Sequence, residues 1–272
     1  MVVLRFSRTV VWWQILIVLG LSLGRSGVYA LVDLMEKLTQ APLDEQTTAL
    51  NPSLAPDPVF DLIRQLLSIG FGLVPVVLVL HLVWIYGRNP LRSFGLDFRR
   101  PVSDLGLGLI LFVTMGAGTL LVYAVGRSLG LTTAIIGSSM NDHWWTPIVL
   151  TLAAVRHSLV EEVIILAWLV DRVSLLRRTP FPPADLGTNT TWLPTTTTDV
   201  VAVLLVSSLI RASYHLYQGI GPGIGNAIMG VVFVLVYLKY RRVMPMVWAH
   251  LFLDVAGFVG FPVLESLGWF GH

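Results

Sequence analysis

Residues 105–126 read LGLGLILFVTMGAGTLLVYAVG, a run without one charged side chain. An α-helix rises about 1.5 Å per residue, so a stretch of this length matches a hydrocarbon core about 30 Å thick. In water the whole run would need burial inside protein; in a bilayer, lipid is enough. Working outward, similar apolar stretches lie at 10–35, 60–86, 146–170, 199–217, 223–240 and 244–263. The expected fold is all-α, a polytopic transmembrane helical bundle of about seven spans. N-terminal transmembrane helices and loops fill 1–145, and a second unit fills 146–263.

Composition agrees. Of 272 residues, 55% are hydrophobic and 12% charged, about half the charged share of a soluble domain. The absence of cysteine excludes disulfides, iron–sulfur clusters, thiolate zinc sites and a cysteine nucleophile. The net charge of +2 comes from basic residues that do not cluster, so no nucleic-acid partner is expected. Their placement reports topology instead. With the N-terminus in the cytoplasm, the inner segments hold Arg5, Arg8, Arg88, Arg92, Arg99, Arg100, Arg172, Arg177, Arg178, Lys239, Arg241 and Arg242. The outer loops carry Lys37 and Arg127 among several acids, which is the positive-inside bias. The chain is therefore read as an integral protein of the cell membrane, with lipid as its surroundings.

Arg5 and Arg8 before an apolar stretch, with Val28, Tyr29 and Ala30 after it, also resemble a signal peptide and its cleavage site; cleavage would leave the later topology unchanged. Residues 179–198, with Pro180, Pro182, Pro183 and four consecutive threonines, read as a cytoplasmic loop. The sequon at Asn189 carries no weight there. No internal repeat of the kind that marks many transporters is visible.

Ionisable side chains inside spans carry the functional signal, since each costs on the order of 3 kcal/mol at the centre of a membrane helix. The fourth span holds Arg156, His157, Glu161 and Glu162; the fifth holds Arg211 and His215; the seventh holds His250 and Asp254. His157 and Glu161, Arg211 and His215, and His250 and Asp254 are each four apart, so each pair shares a helix face. Two adjacent carboxylates in low dielectric cannot both ionise without a proton or a cation such as Arg211 or Arg156. An Asp one turn from a His can fix its tautomer. A carboxylate with two histidines could hold a divalent metal such as zinc, or polarise water without one; spacing leaves both open. The bland readings are a buried ion pair for the two glutamates and packing roles for Arg156 and His157. Tyr214, Tyr217 and the tryptophans Trp12, Trp13, Trp144, Trp145 and Trp248 read as interfacial anchors. The glycines from Gly219 to Gly225 read as a tight connection rather than a phosphate loop.

The order of these motifs resembles the CAAX prenyl protease and bacteriocin-processing family (CPBP, also called Abi) of intramembrane proteases. Glu161-Glu162 lies within SLVEEVIILAW, His215 within RASYHLYQG, and His250 and Asp254 within WAHLFLD. The resemblance covers about residues 146–260. It implies a membrane cavity in which Glu161 is the general base, Glu162 its partner, His215 and His250 position water or stabilise the oxyanion, and Asp254 completes the catalytic set. It implies a membrane-associated protein or peptide as substrate and leaves the metal undecided. The chain departs from the family in two places: Leu166 stands where E-E-x-x-x-R has its arginine, and Arg211 stands where a Phe usually precedes the second motif's histidine by four. Arg211 is the natural replacement for the missing charge.

Two other readings follow from the same residues: a catalytically silent membrane scaffold or chaperone, suggested by Leu166, and a proton-coupled transporter using the carboxylates and histidines as a relay. Depth poses a separate question. Glu161 and His250 fall about 9–14 Å from the cytoplasmic ends of their expected spans, and His215 about 24 Å along its own. The expectation is a fifth span that tilts or starts deep, with the glycine-rich connection entering a protein-lined cavity.

Overall fold

The computed structural model describes residues 7–181 and 192–260. Arg5, Pro182, Pro183, the sequon at Asn189 and positions 261–263 of the expected last span lie outside the described residues.

The structure is 75% helical, and over its described residues each apolar stretch becomes mainly helix. Ser7 caps α1 (Arg8–Leu21) by accepting from the Val10 amide. A break at Ser22, flanked by Gly20 and Gly24, turns the chain by 52° into α2 (Leu23–Gln40), as Gly/Ser clusters commonly do. Asp57 caps α3 (Pro58–Gly72), and α4 (Val74–Trp84) follows after Leu73, where Pro75 interrupts the ladder. Short α5 (Pro90–Phe94) leads to α6 (Pro101–Ser128), which contains the run 105–126. Next come α7 (Thr146–Leu159), a π-helical segment Val160–Trp168 and α8 (Leu169–Leu176), wound without interruption. A capping box at Thr196 and Asp199 opens α9 (Thr197–Ser213). Finally α10 (Ile220–Tyr240) and α11 (Met244–Val255) lead into a π turn, Ala256–Gly260.

The fourth segment is the hub. Every residue from Val163 to Val170 is buried, packed among Val11, Ile15 and Val18 of α1, Val76, Val79 and Val83 of α4, and Phe233 and Tyr237 of α10. The N-terminal helices thus share one hydrophobic core with the motif-bearing helices. On the side of the expected outer loops, β1 (Thr47–Ala49) pairs in parallel with β2 (Ala134–Ile136), Thr47 facing Ala134. This short ladder ties two loops together. Thr132 bridges to Gly219 beside it.

Among the described residues three helical stretches can cross a membrane by length and composition alone, Pro58–Trp84, Pro101–Ser128 and Ile220–Tyr240, and a fourth if the bent pair α1 and α2 counts as one span. The other three expected spans are helical too, but one carries the ionisable cluster, α9 has 17 residues, and Met244–Gly260 is short.

Charge placement also differs from expectation. Arg88 and Arg172, read as cytoplasmic loop charges, are fully buried. Arg88 donates to both oxygens of Asp171 at 2.7 and 3.1 Å, Arg172 approaches the same carboxylate at 3.3 Å, and the Trp192 amide donates to it at 3.0 Å. Trp192 covers the Arg88 guanidinium at 4.2 Å. This node lets the helix continue to Leu176 through two charged residues. A second ion pair, Arg242 with Asp104 and Asp97, fixes the start of α11 against α6.

The glycine-rich stretch is only partly a connection. Gly219, at φ 117°, makes the turn, a conformation that suits glycine alone. The remaining glycines belong to α10, where Gly221 lies so near Gly126 of α6 that an added Cβ would stand 3.5 Å from the Gly126 Cα and collide with the Thr132 hydroxyl.

Candidate active site

The site starts from the π-helical segment. Its i→i+5 bonding is rare and concentrates at functional positions. The wider winding lets consecutive Glu161 and Glu162 face one partner. Ser207 of α9 donates to the Ile165 carbonyl at 3.4 Å, one of the interhelical polar contacts membrane helices use as glue.

That partner is Arg211 of α9. Its Nη1 donates to Glu161 Oε2 at 3.2 Å, and its Nη2 to Glu162 Oε1 and Oε2 at 2.8 and 2.9 Å. Arg211 is 1% exposed, Glu162 0% and Glu161 8%, so the charges neutralise one another away from water. Tyr214 donates its hydroxyl to Glu161 Oε2 at 2.8 Å. From α11, His250 Nδ1 donates to Glu162 Oε1 at 2.7 Å and stands 3.9 Å from Glu161 Oε2. Its other nitrogen, Nε2, lies 3.7 Å from Asp254 Oδ2, which is 3.5 Å from His157 Nδ1. Both separations favour charge pairing without being good hydrogen bonds. His215 Nδ1 donates to the Arg211 carbonyl at 2.9 Å, which makes its Nε2 an acceptor in the neutral ring.

These groups meet at a cavity of about 600 Å³ walled by Glu161, His215, His250 and Asp254, with His157 and Tyr214 beside them. Glu162 sits behind the wall, bound to Arg211 and His250. All five residues singled out in the sequence therefore come together. Three residues given bland readings come with them: Arg156 and His157 line the cavity rather than only packing, and Tyr214 is a buried ligand of Glu161 rather than an interfacial anchor. Tyr217 lines the cavity as well. The signal for Tyr214 was its position three residues after Arg211, on the same helix face. Trp12, Trp13 and Trp144 are exposed, as anchors should be, while Trp145 is buried.

The depth question resolves by helix length. The fourth segment runs to Leu176 rather than 170, so Glu161 stands about 22 Å from that end, and Arg211 about 21 Å from Thr197 at the start of α9. Helix length thus accounts for the meeting of Glu161 and Arg211, while His250, six residues into α11, bonds Glu162 because α11 starts deeper in the bundle than α8 ends. His215 follows in a turn, residues 214–219, which packs against protein: the Thr133 amide donates to the Gln218 carbonyl at 3.1 Å, and the Gly221 amide to that of Leu131 at 3.1 Å.

Could this site hold a divalent metal? Donor atoms of Glu161, Glu162 and His250 lie within 4.8 Å of one another, a suitable grouping by distance. Yet both oxygens of Glu162 and one of Glu161 already accept from Arg211. A dication there would face a fixed guanidinium across the same carboxylates, so this arrangement does not fit a resident metal.

No curated protein and no solved structure matches the chain. A family model does, over residues 143–256, and its description is Type II CAAX prenyl endopeptidase Rce1-like. The matched segment begins just before α7 and ends just past Asp254, so it holds every side chain of the cluster. Residues 143–256 of this integral membrane protein thus match the Rce1-like CAAX protease domain, consistent with the CPBP family of intramembrane proteases.

Proposed function

We propose that the protein is an intramembrane endopeptidase of the CPBP type, hydrolysing a peptide bond of a membrane-associated protein or peptide with water activated by Glu161. One observation carries the reading. Glu161 Oε2 is held by Arg211 and Tyr214, while among the described residues no donor reaches Oε1, and the residue lines a cavity. A carboxylate fixed by one oxygen presents the other as a base.

In this reading Glu161 Oε1 takes a proton from water as the water oxygen bonds to the scissile carbonyl carbon. The developing oxyanion is met by the Nε2–H of the His250 imidazolium, a fixed donor that is strongest where water is scarce, while His215 positions the water by accepting from it at Nε2 and Arg211, behind the wall, fixes Glu161. Glu161 then passes its proton to the amine nitrogen as the C–N bond breaks. Glu162 keeps Arg211 and the Nδ1–H of His250 oriented, and Asp254 stabilises charge arriving at Nε2. The proposal includes seven crossings, a cytoplasmic N-terminus, residence in the plasma membrane and a protease core at 146–263 preceded by supporting helices over 1–145. Arg211, bonded to both glutamates from α9, supports the reading that a relocated charge replaces the arginine absent at Leu166, against the silent scaffold that Leu166 suggests.

The test is release of a fluorophore from membrane-inserted peptides by protein reconstituted in vesicles. Glu161→Gln and His250→Ala should abolish release. Equal release from wild type and both variants would reject the mechanism, and substrate-dependent proton flux without cleavage would point to a transporter.

A further inference from the structure

Two arginines at the cavity have no part in the chemistry above. Arg156 of α7 and Arg25 of α2 both line it, with Ser22, Ser26 and Ser68 nearby. Arg25 lies about 25 Å along the chain from Arg8 and about 18 Å from Lys37, at membrane depth. Among the described residues it has no ion-pair or hydrogen-bond partner. Among the described residues Arg156 has no carboxylate within 4.0 Å, and its buried Nε has no hydrogen-bond partner. Its Nη2 abuts His157 Nε2, which orients the guanidinium without neutralising it. The stem of Arg156 lies on Gly72, the last residue of α3, where an added Cβ would come within 2.6 Å of the Arg156 Cδ. Space has thus been cleared for this side chain. Charges at this depth carry a penalty that demands a counter-charge. Glu161 and Glu162 already have theirs in Arg211, and Asp254, the third carboxylate of the cavity, lies nearest His157 and His250, beyond 4.0 Å from Arg156.

We infer that Arg156, assisted by Arg25, is the specificity-determining anion receptor of the cavity and selects substrates that present a carboxylate. The inference rests on the protease reading and adds a substrate property to it. A carboxylate matches the planar fork of a guanidinium bidentately. It could come from a chain terminus or from an acidic side chain, and the two sources are separable.

The probe is a palmitoylated, fluorophore-labelled hydrophobic decapeptide in phosphatidylcholine vesicles. It is made in three forms: free-acid terminus, amidated terminus, and amidated terminus with one internal Glu. Wild type should favour a carboxylate form over the plain amide by about tenfold or more in kcat/KM, the size of one charge-assisted hydrogen bond, mostly through KM. The favoured form names the source. In Arg156→Gln that ratio should fall towards one, and in Arg25→Gln it should fall part of the way. Arg156→Lys, which keeps charge but not the fork, should give an intermediate ratio and decides the matter if Arg156→Gln fails to fold. If wild type cleaves none of the peptides, the protease reading fails separately. Anisotropy titrations of the same peptides on wild type and Arg156→Gln then still test the anion site. Equal handling of all three peptides by wild type, or full discrimination by Arg156→Gln, overturns the inference. So does activity that follows added anionic lipid but ignores peptide charge, which would assign these arginines to headgroups.

Discussion

Replacing Arg211 with Ala tests the centre of the molecule most sharply. The side chain makes three hydrogen bonds of 2.8–3.2 Å to two carboxylates. It is 1% exposed, so water cannot take its place. Removal leaves Glu161 and Glu162 side by side with only His250 and Tyr214 as donors. Breaking a buried ion pair from one side costs about 3–5 kcal/mol, most of it the penalty of the stranded charge. For a chain of this size each kcal/mol moves the unfolding midpoint by about 2–4 °C, so the loss should be on the order of 10 °C. Tryptophan fluorescence of detergent-solubilised protein, heated at one fixed rate, reads it out. Peptide release should vanish as completely as in Glu161→Ala. The combined variant Arg211→Met, Glu161→Gln, Glu162→Gln separates the two roles: with no charge left to strand, its midpoint should return near wild type while activity stays absent. An Arg211→Ala protein that unfolds within about 2 °C of wild type and still cleaves would refute both the energetics and the assignment.

Tyr214→Phe removes one of two holders of Glu161 Oε2 and should lower release by about tenfold, the equivalent of one hydrogen bond worth about 1.4 kcal/mol; unchanged kinetics would remove Tyr214 from the site. Gly27→Ala would drive a methyl into the Ser213 hydroxyl, next to the turn that carries His215. An overpacking penalty of about 1–3 kcal/mol is expected, and Ser213→Ala in the same chain should relieve much of it in the thermal assay. Outside the spans, burial pushes the Asp97 carboxyl up, but the hydrogen bond and charge of Arg242 and the Arg99 amide outweigh it and hold it below its ordinary value. A carboxyl so lowered adds stability above its unfolded pKa of about 3.9 and loses it as pH falls through the folded value. Wild type should therefore be more stable than Asp97→Asn near neutrality, and the gap should close in acid below about pH 4; a pH-independent gap would contradict the ion pair.

Much of the site was legible because charges in apolar helices stand out and helical spacing groups them. Glu161, Glu162, His215, His250 and Asp254 were readable for that reason, and so was Arg211 as a substitute cation. Tyr214 was not, because a tyrosine near a span end is equally at home at the lipid interface. The π winding at Val160–Trp168 escaped because i→i+5 bonding leaves no periodic mark in a segment apolar on every side. The length of the fourth helix was not legible for a related reason: Asp171 and Arg172 look like the end of an apolar helix until Arg88, 83 residues before Asp171, is seen bonded to that carboxylate. Patterns within one helix report its faces; only partners far along the chain report how deep it goes.

The fold is cinched at two levels. On one side a three-residue ladder joins loops almost ninety positions apart, and on the other Arg88, Asp171 and Arg172 knot α8 to the α4–α5 corner beneath Trp192. The interruptions at Ser22 and Leu73 fall between these fastenings, where Ser22 and the neighbours of Leu73, Gly72 and Pro75, line the void. Stiffness is thus concentrated at the rims and compliance at the waist, so the walls can flex sideways without loosening the bundle at either end.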